Sequence, residues 1–531
     1  MSAFECQLAE SQRQAVQAEI DARKSAKERN RLGQFATPYA LAVEIAHYVE
    51  SILGQPNQRV RFADPSIGSG SFFSAALTVF GCKRISSAIG VEIDPEFAGA
   101  VRCLWSNAGL EVVHGDFTRV IANGSCPLAP NVVLANPPYV RHHHMSREEK
   151  ARLQALTFKM VGIDVNGLAG LYVYFLLLAT AWMEDGGVAA WLVPSEFMDV
   201  NYGAALKRFL ADRVTLIRVH RFDPNDVQFG DALVSSVVLV FRKAPPSADH
   251  EVLFTFGGSL AEPRASDLIA RERLREARKW TAYPNHLNNN RHAVALGTGP
   301  TLGDFFRVQR GIATGCNKFF ILEREVAARL GLPDKYLRPI LPSPRQLKIT
   351  KIDADADGHP LIDSQLCVVD CNLPEPMVAA NYPALWAYLQ TAQSLGVMSG
   401  YLIGKRSPWY KQEQREPSDF LCTYMGRGSG DHPPFRFIWN RSKAIATNLY
   451  LMLYPKPNLA AMLRCYPERA EIVHTLLGQV TGNELRGEGR VYGGGLNKIE
   501  PSELARICAA SFVERWPEIR DGGVVQGKLF G

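Results

Sequence analysis

Apolar and polar positions divide the chain into two unlike halves. Between about 59 and 243, short β-branched runs alternate with helix-length apolar or amphipathic segments. VRFAD, ISSAIGVEID, EVVHGDF, NVVLANPPY, GGVAAWLVP, TLIRVHRF and SSVVLVFRK read as strands. GSFFSAALTVF, LYVYFLLLATAWM and GAALKRFLAD read as the helices among them. This alternation predicts a mostly parallel sheet with helices on both faces, a Rossmann-like α/β domain whose ligands sit at the strands' carboxyl ends. LYVYFLLLATAWM (171–183) is the strongest apolar run; it is too short to span a bilayer and predicts a buried core helix. Residues 10–31 read as a charged helix, either a solvated surface helix or an arm facing a polyanion. YALAVEIAHYVESIL, after Pro38, reads as an amphipathic helix. KAPPSAD (243–249) breaks the composition like a linker, and beyond it the rhythm fades.

Composition narrows the picture only a little. A chain of 531 residues, 47% of them hydrophobic, has room for two or three domains and a large core. The net charge of +6 permits a polyanionic partner without requiring one. The ten cysteines show no disulfide framework, which fits a reducing cytosol. Cys367 and Cys371 have CxxxC spacing, but no second ligand pair follows, so no metal is expected. MSAFECQLAESQRQ lacks the basic start and apolar stretch of a signal peptide, so a cytoplasmic protein without a membrane span is expected.

Candidate chemistry collects at the strand ends. In FADPSIGSGSFF a strand stops at Asp64, and Gly68 and Gly70 allow a tight turn before a helix, a nucleotide-type cradle. It is neither the dinucleotide GxGxxG nor a P-loop. In GVEID, Glu92 is placed to accept from two ribose hydroxyls. In GDF, Asp116 could accept from an adenine amino group, with Phe117 against the ring. In LANPPY, Pro137 and Pro138 stop the strand and fix Asn136 and Tyr139 at its end.

GQFATP, DPSIGSG, GVEID, GDF and NPPY, in this order, resemble the γ-class DNA adenine-N6 methyltransferases. The likeness is close over 31–243 and looser beyond, at RGIATGCNKFFIL and YGGGLNKIEPSEL. It implies S-adenosylmethionine as cofactor, double-stranded DNA as partner and a C-terminal target recognition domain. Phe35 and Thr37 would cover the cofactor; Asp64, Gly68 and Gly70 would border its methionine and ribose. Glu92 would hold the ribose, Ile93 would pack on the adenine, and Asp116 and Phe117 would read it. Ile67 departs from the family, which often has a small residue or Cys there. The Asn136 side-chain oxygen and the Pro137 carbonyl would accept from the target amino group. The target base would leave the stack, with Tyr139 on one face and Phe229 on the other.

The implied division is an N-terminal helical arm (1–30), a catalytic domain (31–245) and a mixed α+β recognition domain (246–531). Arg310, Lys318, Arg406, Lys411, Arg427, Arg436 and Lys498 are candidate DNA contacts. HHH (142–144) reads as a solvated or DNA-facing loop. No PD–ExK cluster accompanies these motifs, so the expected protein is a monomeric type II methylase paired with a separate restriction endonuclease. Its general look resembles methylases of six-base palindromes such as CTCGAG. NPPY-type motifs also occur in RNA and protein-glutamine methyltransferases, and a methyltransferase fold can persist in an inactive DNA-binding subunit; these are the alternatives.

Overall fold

The computed structural model describes the chain except residues 1–2, 26–27, 30–32, 56–57, 125–128, 224–234, 285–298, 429–433, 481–483, 486–487, 493–495 and 520–531. The chain divides into two compact units, residues 1–292 with 492–494, and residues 293–491 with 495–531.

The first unit is built on a nine-stranded sheet. Its strands are β1 (Val60–Asp64), β2 (Ile85–Glu92), β3 (Leu110–His114), β4 (Val132–Ala135), β5 (Val188–Pro194), β6 (Thr215–Arg221), β7 (Ser236–Arg242), β8 (Glu251–Gly258) and β9 (Pro263–Ala270). They lie in the order β3-β2-β1-β4-β5-β7-β6-β8-β9. The first five are mutually parallel, and β6 pairs parallel with β8. β7 runs antiparallel to β5 and β6, and β9 antiparallel to β8. The longer helices are α1 (Ala3–Arg23), α2 (Tyr39–Ile52), α3 (Ser71–Phe80), α4 (Pro95–Trp105), α5 (Arg147–Val161), α6 (Leu171–Trp182) and α7 (Ala204–Asp212).

Period-two alternation along the strands feeds two cores. Val133, Ala135, Trp191 and Val193 pack with α6 on one face. Val132, Leu134, Ala190 and Leu192 pack with α2, α3 and α4 on the other. α6, the apolar run, is buried nearly all round, as a helix with no polar face must be. Among the described residues no helix is long and apolar enough to cross a membrane.

KAPPSAD is not the domain boundary. β8 continues the sheet beside β6, and Val252, Phe254 and Ile269 bury into the same core, so the compact unit runs past 245. The N-terminal helix is not simply solvated. Ala9 and Ile20 are buried, and so are Glu10 and Arg13.

The second unit is mixed. Its five-stranded sheet orders Phe306–Arg310, Tyr450–Pro455, Phe420–Thr423, Phe437–Asn440 and Lys351–Ile352, antiparallel except for the last pair. A three-stranded sheet of Ile321–Glu323, Leu366–Val369 and Leu337–Ile340 accompanies it. Helices such as Pro457–Cys465 and Arg469–Gly478 bury Leu459, Met462, Val473 and Leu477 in its main apolar cluster.

Candidate active site

The parallel strands deliver their polar residues to one end of the sheet. Asp64 closes β1 with its carboxyl buried, and its Oδ1 accepts from the Ser66 amide at 2.9 Å. Burial, with Glu92 nearby, pushes its pKa up to about 8. Glu92 closes β2, where the amides of Gly68 and Asp94 donate to its two oxygens at 2.9 and 2.8 Å. Burial still raises its pKa. Gly70 adopts φ +88° at the start of α3, and a Cβ there would lie 2.6 Å from Trp105 Nε1, so this turn has no room for a side chain. Ile67, the departure from the family, is matched on the next strand. A Cβ on Gly90 would stand 2.3 Å from Ile67 Cδ1, and glycine makes that space.

After β3, Asp116 caps the short helix Phe117–Val120, its Oδ1 taking the Thr118 amide at 2.9 Å and the Thr118 hydroxyl at 2.8 Å. Its Oδ2 lies 3.4 Å from Arg119 Nε and 3.7 Å from Arg152 Nη2.

Asn136 follows β4. Its Nδ2 donates to the Phe35 carbonyl at 2.8 Å and to Thr37 Oγ1 at 3.1 Å. A carbonyl only accepts, so this contact fixes which end of the amide is nitrogen. Asn136 Oδ1 is left buried with no hydrogen-bond partner in the described structure. Such a group costs about 1–3 kcal/mol unless a ligand satisfies it. The loop that clamps Asn136 is itself pressed onto NPPY. Gly33, at φ +67°, has no room for a Cβ, which would stand 2.4 Å from the Tyr139 nitrogen. Ser71 Oγ donates to the Thr37 carbonyl at 2.8 Å, tying the same loop to α3.

A cleft of about 670 Å³ opens over these strand ends. Phe35, Gly68, Glu92, Ile93, Asp116, Phe117, Asn136 and Pro138 line it. Thr37, Asp64, Gly70, Pro137 and Tyr139 are buried and are not part of that lining. Ile93 is 65% exposed, an apolar side chain left uncovered at the wall. Phe117 differs from expectation. It is 1% exposed and packs on Phe175 and Trp182, with ring centroids 5.3 and 5.9 Å away, so little of it remains to meet a ligand. Tyr139 is also buried, its hydroxyl donating to the Leu192 carbonyl at 3.1 Å and its ring 5.6 Å from Phe35. Phe229 lies outside the described residues.

Several lining residues escaped the sequence reading. Leu171 and Phe175 of α6 face the cleft, but a helix apolar on every side does not mark one face as special. Gln17 and Asp21 of α1 and Glu149 of α5 line it too. The histidine run is a single 3₁₀ turn in which His143 and His144 line the cleft, their rings 4.2 Å apart. Partial burial and the neighbouring positive groups hold His143 below the ordinary histidine range.

In the second unit the basic candidates separate. Arg406 donates to the carbonyls of Thr314 and Ala313, and Arg436 to those of Lys348, Pro344 and Leu347. Both guanidinium groups therefore serve the fold. Arg310 lies 4.0 Å over the Tyr424 ring, and Lys498 pairs with Glu500 at 3.0 Å. Lys318, Lys411 and Arg427 are exposed.

Residues 277–520 match the family described as the C-terminal domain of the type II methyltransferase M.Eco57I, and residues 131–228 match the Eco57I restriction-modification methylases. The chain is 30% identical over 458 residues to the type II methyltransferase M.XamI of Xanthomonas campestris pv. amaranthicola, covering 84% of this chain and 80% of that protein. It is 23% identical over 496 residues to M.AccI of Acinetobacter calcoaceticus, covering 90% and 85%. Among solved structures, the type IIL restriction-modification enzyme MmeI in complex with DNA shares the fold. The TM-score is 0.54 at 13% identity, and the match covers 83% of this chain and 65% of that longer one.

Proposed function

We propose a reaction for this chain, which belongs to the type II DNA methyltransferases of restriction-modification systems: transfer of a methyl group from S-adenosylmethionine to N6 of an adenine turned out of duplex DNA. The observation that carries this reading is the buried, unpartnered Asn136 Oδ1 at the cleft wall.

The cleft suits the cofactor. Its volume falls within the usual small-ligand range of roughly 300–1,000 Å³. Glu92, locked by two backbone donors, keeps lone pairs for the ribose hydroxyls. Ile93 and Phe175 offer apolar surface to the adenine, and the Asp116 carboxylate an acceptor for its amino group. When bound, S-adenosylmethionine supplies a methyl group on a cationic sulfur, open to in-line displacement.

The remaining work falls to the chain. An exocyclic adenine nitrogen is weakly nucleophilic because its lone pair is delocalised into the ring. Asn136 Oδ1 accepts a hydrogen bond from one N–H and the Pro137 carbonyl from the other, favouring a pyramidal nitrogen with a localised lone pair; once methylated, the nitrogen gives up its extra proton to water. Because Phe35 and Thr37 hold the amide beforehand, the acceptor needs no reorganisation at the moment of reaction. Inside a duplex the amino group is out of reach, so the base is extruded towards the end of β4, where the resemblance assigns one stacking face to Tyr139, a ring buried in this structure and pinned through Leu192. The resemblance assigns the second face to Phe229, which lies outside the described residues.

The second unit recognises the DNA site, with Arg310, Lys318, Lys411 and Arg427 as the exposed or ring-stacked candidates. The chain works as a monomer in the host cytosol, protecting the sequence that a separate restriction endonuclease cuts. The test gives purified protein labelled S-adenosylmethionine with unmethylated DNA, RNA and protein in parallel. N6-methyladenine in DNA, at one sequence context, is the expected product. Label confined to RNA or protein refutes the reading.

A further inference from the structure

α1 turns a polar face inward. Glu10, Arg13, Gln17, Asp21 and Lys24 recur at helical spacing, so they share one side. Glu10 and Arg13 are 5% and 3% exposed. Arg13 donates to both Glu10 oxygens at 2.8 and 2.7 Å, and its Nη1 donates to Ser69 Oγ, inside the glycine turn, at 2.7 Å. Just past the helix, Lys24 pairs with Asp94, which follows β2, and donates to Gln34 Oε1 at 3.2 Å. A buried ion pair adds little net stability, but it fixes placement. Here it fixes α1 against the two loops that frame the proposed cofactor site.

Between those anchors, Gln17 and Asp21 line the same cleft as Glu92 and Asn136. Gln17 Nε2 donates to Asp21 Oδ2 at 2.7 Å. Asp21 Oδ1 and Gln17 Oε1 have no hydrogen-bond partner among the described residues. The lining includes four carboxylates, Asp21, Glu92, Asp116 and Glu149, and among the described residues no lysine or arginine. Asp116 and Glu149 are paired with Arg119 and Arg152, so the negative charge that meets a ligand rests mainly on Asp21 and Glu92. That charge favours a cation. S-Adenosylmethionine carries one net positive charge at neutral pH, whereas its demethylated product, S-adenosylhomocysteine, carries none.

We propose that α1 is the outer wall of the cofactor site: Asp21 and Gln17 accept hydrogen bonds from bound S-adenosylmethionine, and the Asp21 charge favours the cationic cofactor over its neutral product. This rests on reading the cleft as the cofactor site. Asp21 thereby biases the site towards exchange of product for fresh cofactor.

The test is calorimetric, on the full chain, with S-adenosylmethionine and S-adenosylhomocysteine as separate ligands. Asp21→Asn keeps the shape and removes the charge. It is expected to weaken S-adenosylmethionine about fourfold and S-adenosylhomocysteine much less, the scale of one partly exposed charge contact. Gln17→Ala, a second and milder change, is expected to weaken both ligands by a similar, smaller factor. The ligand-free melting temperature should stay put in both variants. Unchanged affinities in both variants overturn the proposal. So does an equal loss of both ligands in Asp21→Asn, which would make Asp21 a structural residue only. A wild-type chain that binds neither ligand would instead overturn the cofactor reading itself.

Discussion

Thr37 Oγ1 accepts from Asn136 Nδ2 at 3.1 Å, so Thr37 acts through the amide it holds. The resemblance had placed it against the cofactor. Thr37→Val keeps the side chain's shape and removes the acceptor. One net hydrogen bond is worth about 0.5–1.5 kcal/mol, so single-turnover methylation is expected to slow roughly three- to tenfold. Cofactor affinity, measured by calorimetry, should change less. Asp64 makes a different point at the same scale. Its buried carboxyl titrates near 8 in the native chain, against the ordinary value of 3.8. Between those values the native state holds a proton that the unfolded chain has released. The site's contribution to stability is therefore fully present below the ordinary carboxylate range and is lost as pH rises through about 8. Asp64→Asn does not titrate, and it is expected to flatten the fall in melting temperature over that window. An unchanged slope would assign the fall to other groups.

At the scale of elements, the sequence was most legible where local signals end a strand. Asp64 before a glycine turn, Glu92 before Asp94-Pro95, and Asn136 before two prolines each stop an apolar run, and the structure brings all three to one end of the sheet. α6 was legible from its unbroken apolar run. α1 was not, because its inward face is polar and its partners Ser69 and Asp94 stand 56 and 70 residues away. A charged helix viewed alone looks solvated. KAPPSAD looked like a linker because proline interrupts the pattern, yet it is only the crossing from β7 to β8. Ring exposure was beyond the sequence as well. Phe117 and Tyr139 carry the right chemistry, but packing on Phe175, Trp182 and Phe35 decides what surface they keep. The same holds for Arg406 and Arg436, whose spacing gave no sign that backbone carbonyls already occupy them.

At the scale of the whole molecule, each unit has its own apolar core, and this permits a cleaner cut than the composition break does. A fragment of residues 1–292 is expected to fold, by circular dichroism, and to bind S-adenosylmethionine while losing sequence-specific affinity for DNA in a mobility-shift assay. A fragment ending at 245 would lack β8 and β9, leave the core face at Val219 and Phe241 open, and is expected to aggregate. Site-specific binding retained by the 1–292 fragment would count against a recognition role for the second unit.

The central claim is that a preset, unpartnered amide oxygen on Asn136 makes an adenine amino group reactive. The most direct measurement follows Asn136→Ala beside the wild-type chain, with cofactor affinity by calorimetry and methylated nucleosides by mass in the same preparations. Wild-type protein is expected to deposit N6-methyladenine in DNA. The variant is expected to deposit none detectable while binding S-adenosylmethionine with nearly wild-type affinity. A variant that still methylates adenine at a comparable rate would contradict it.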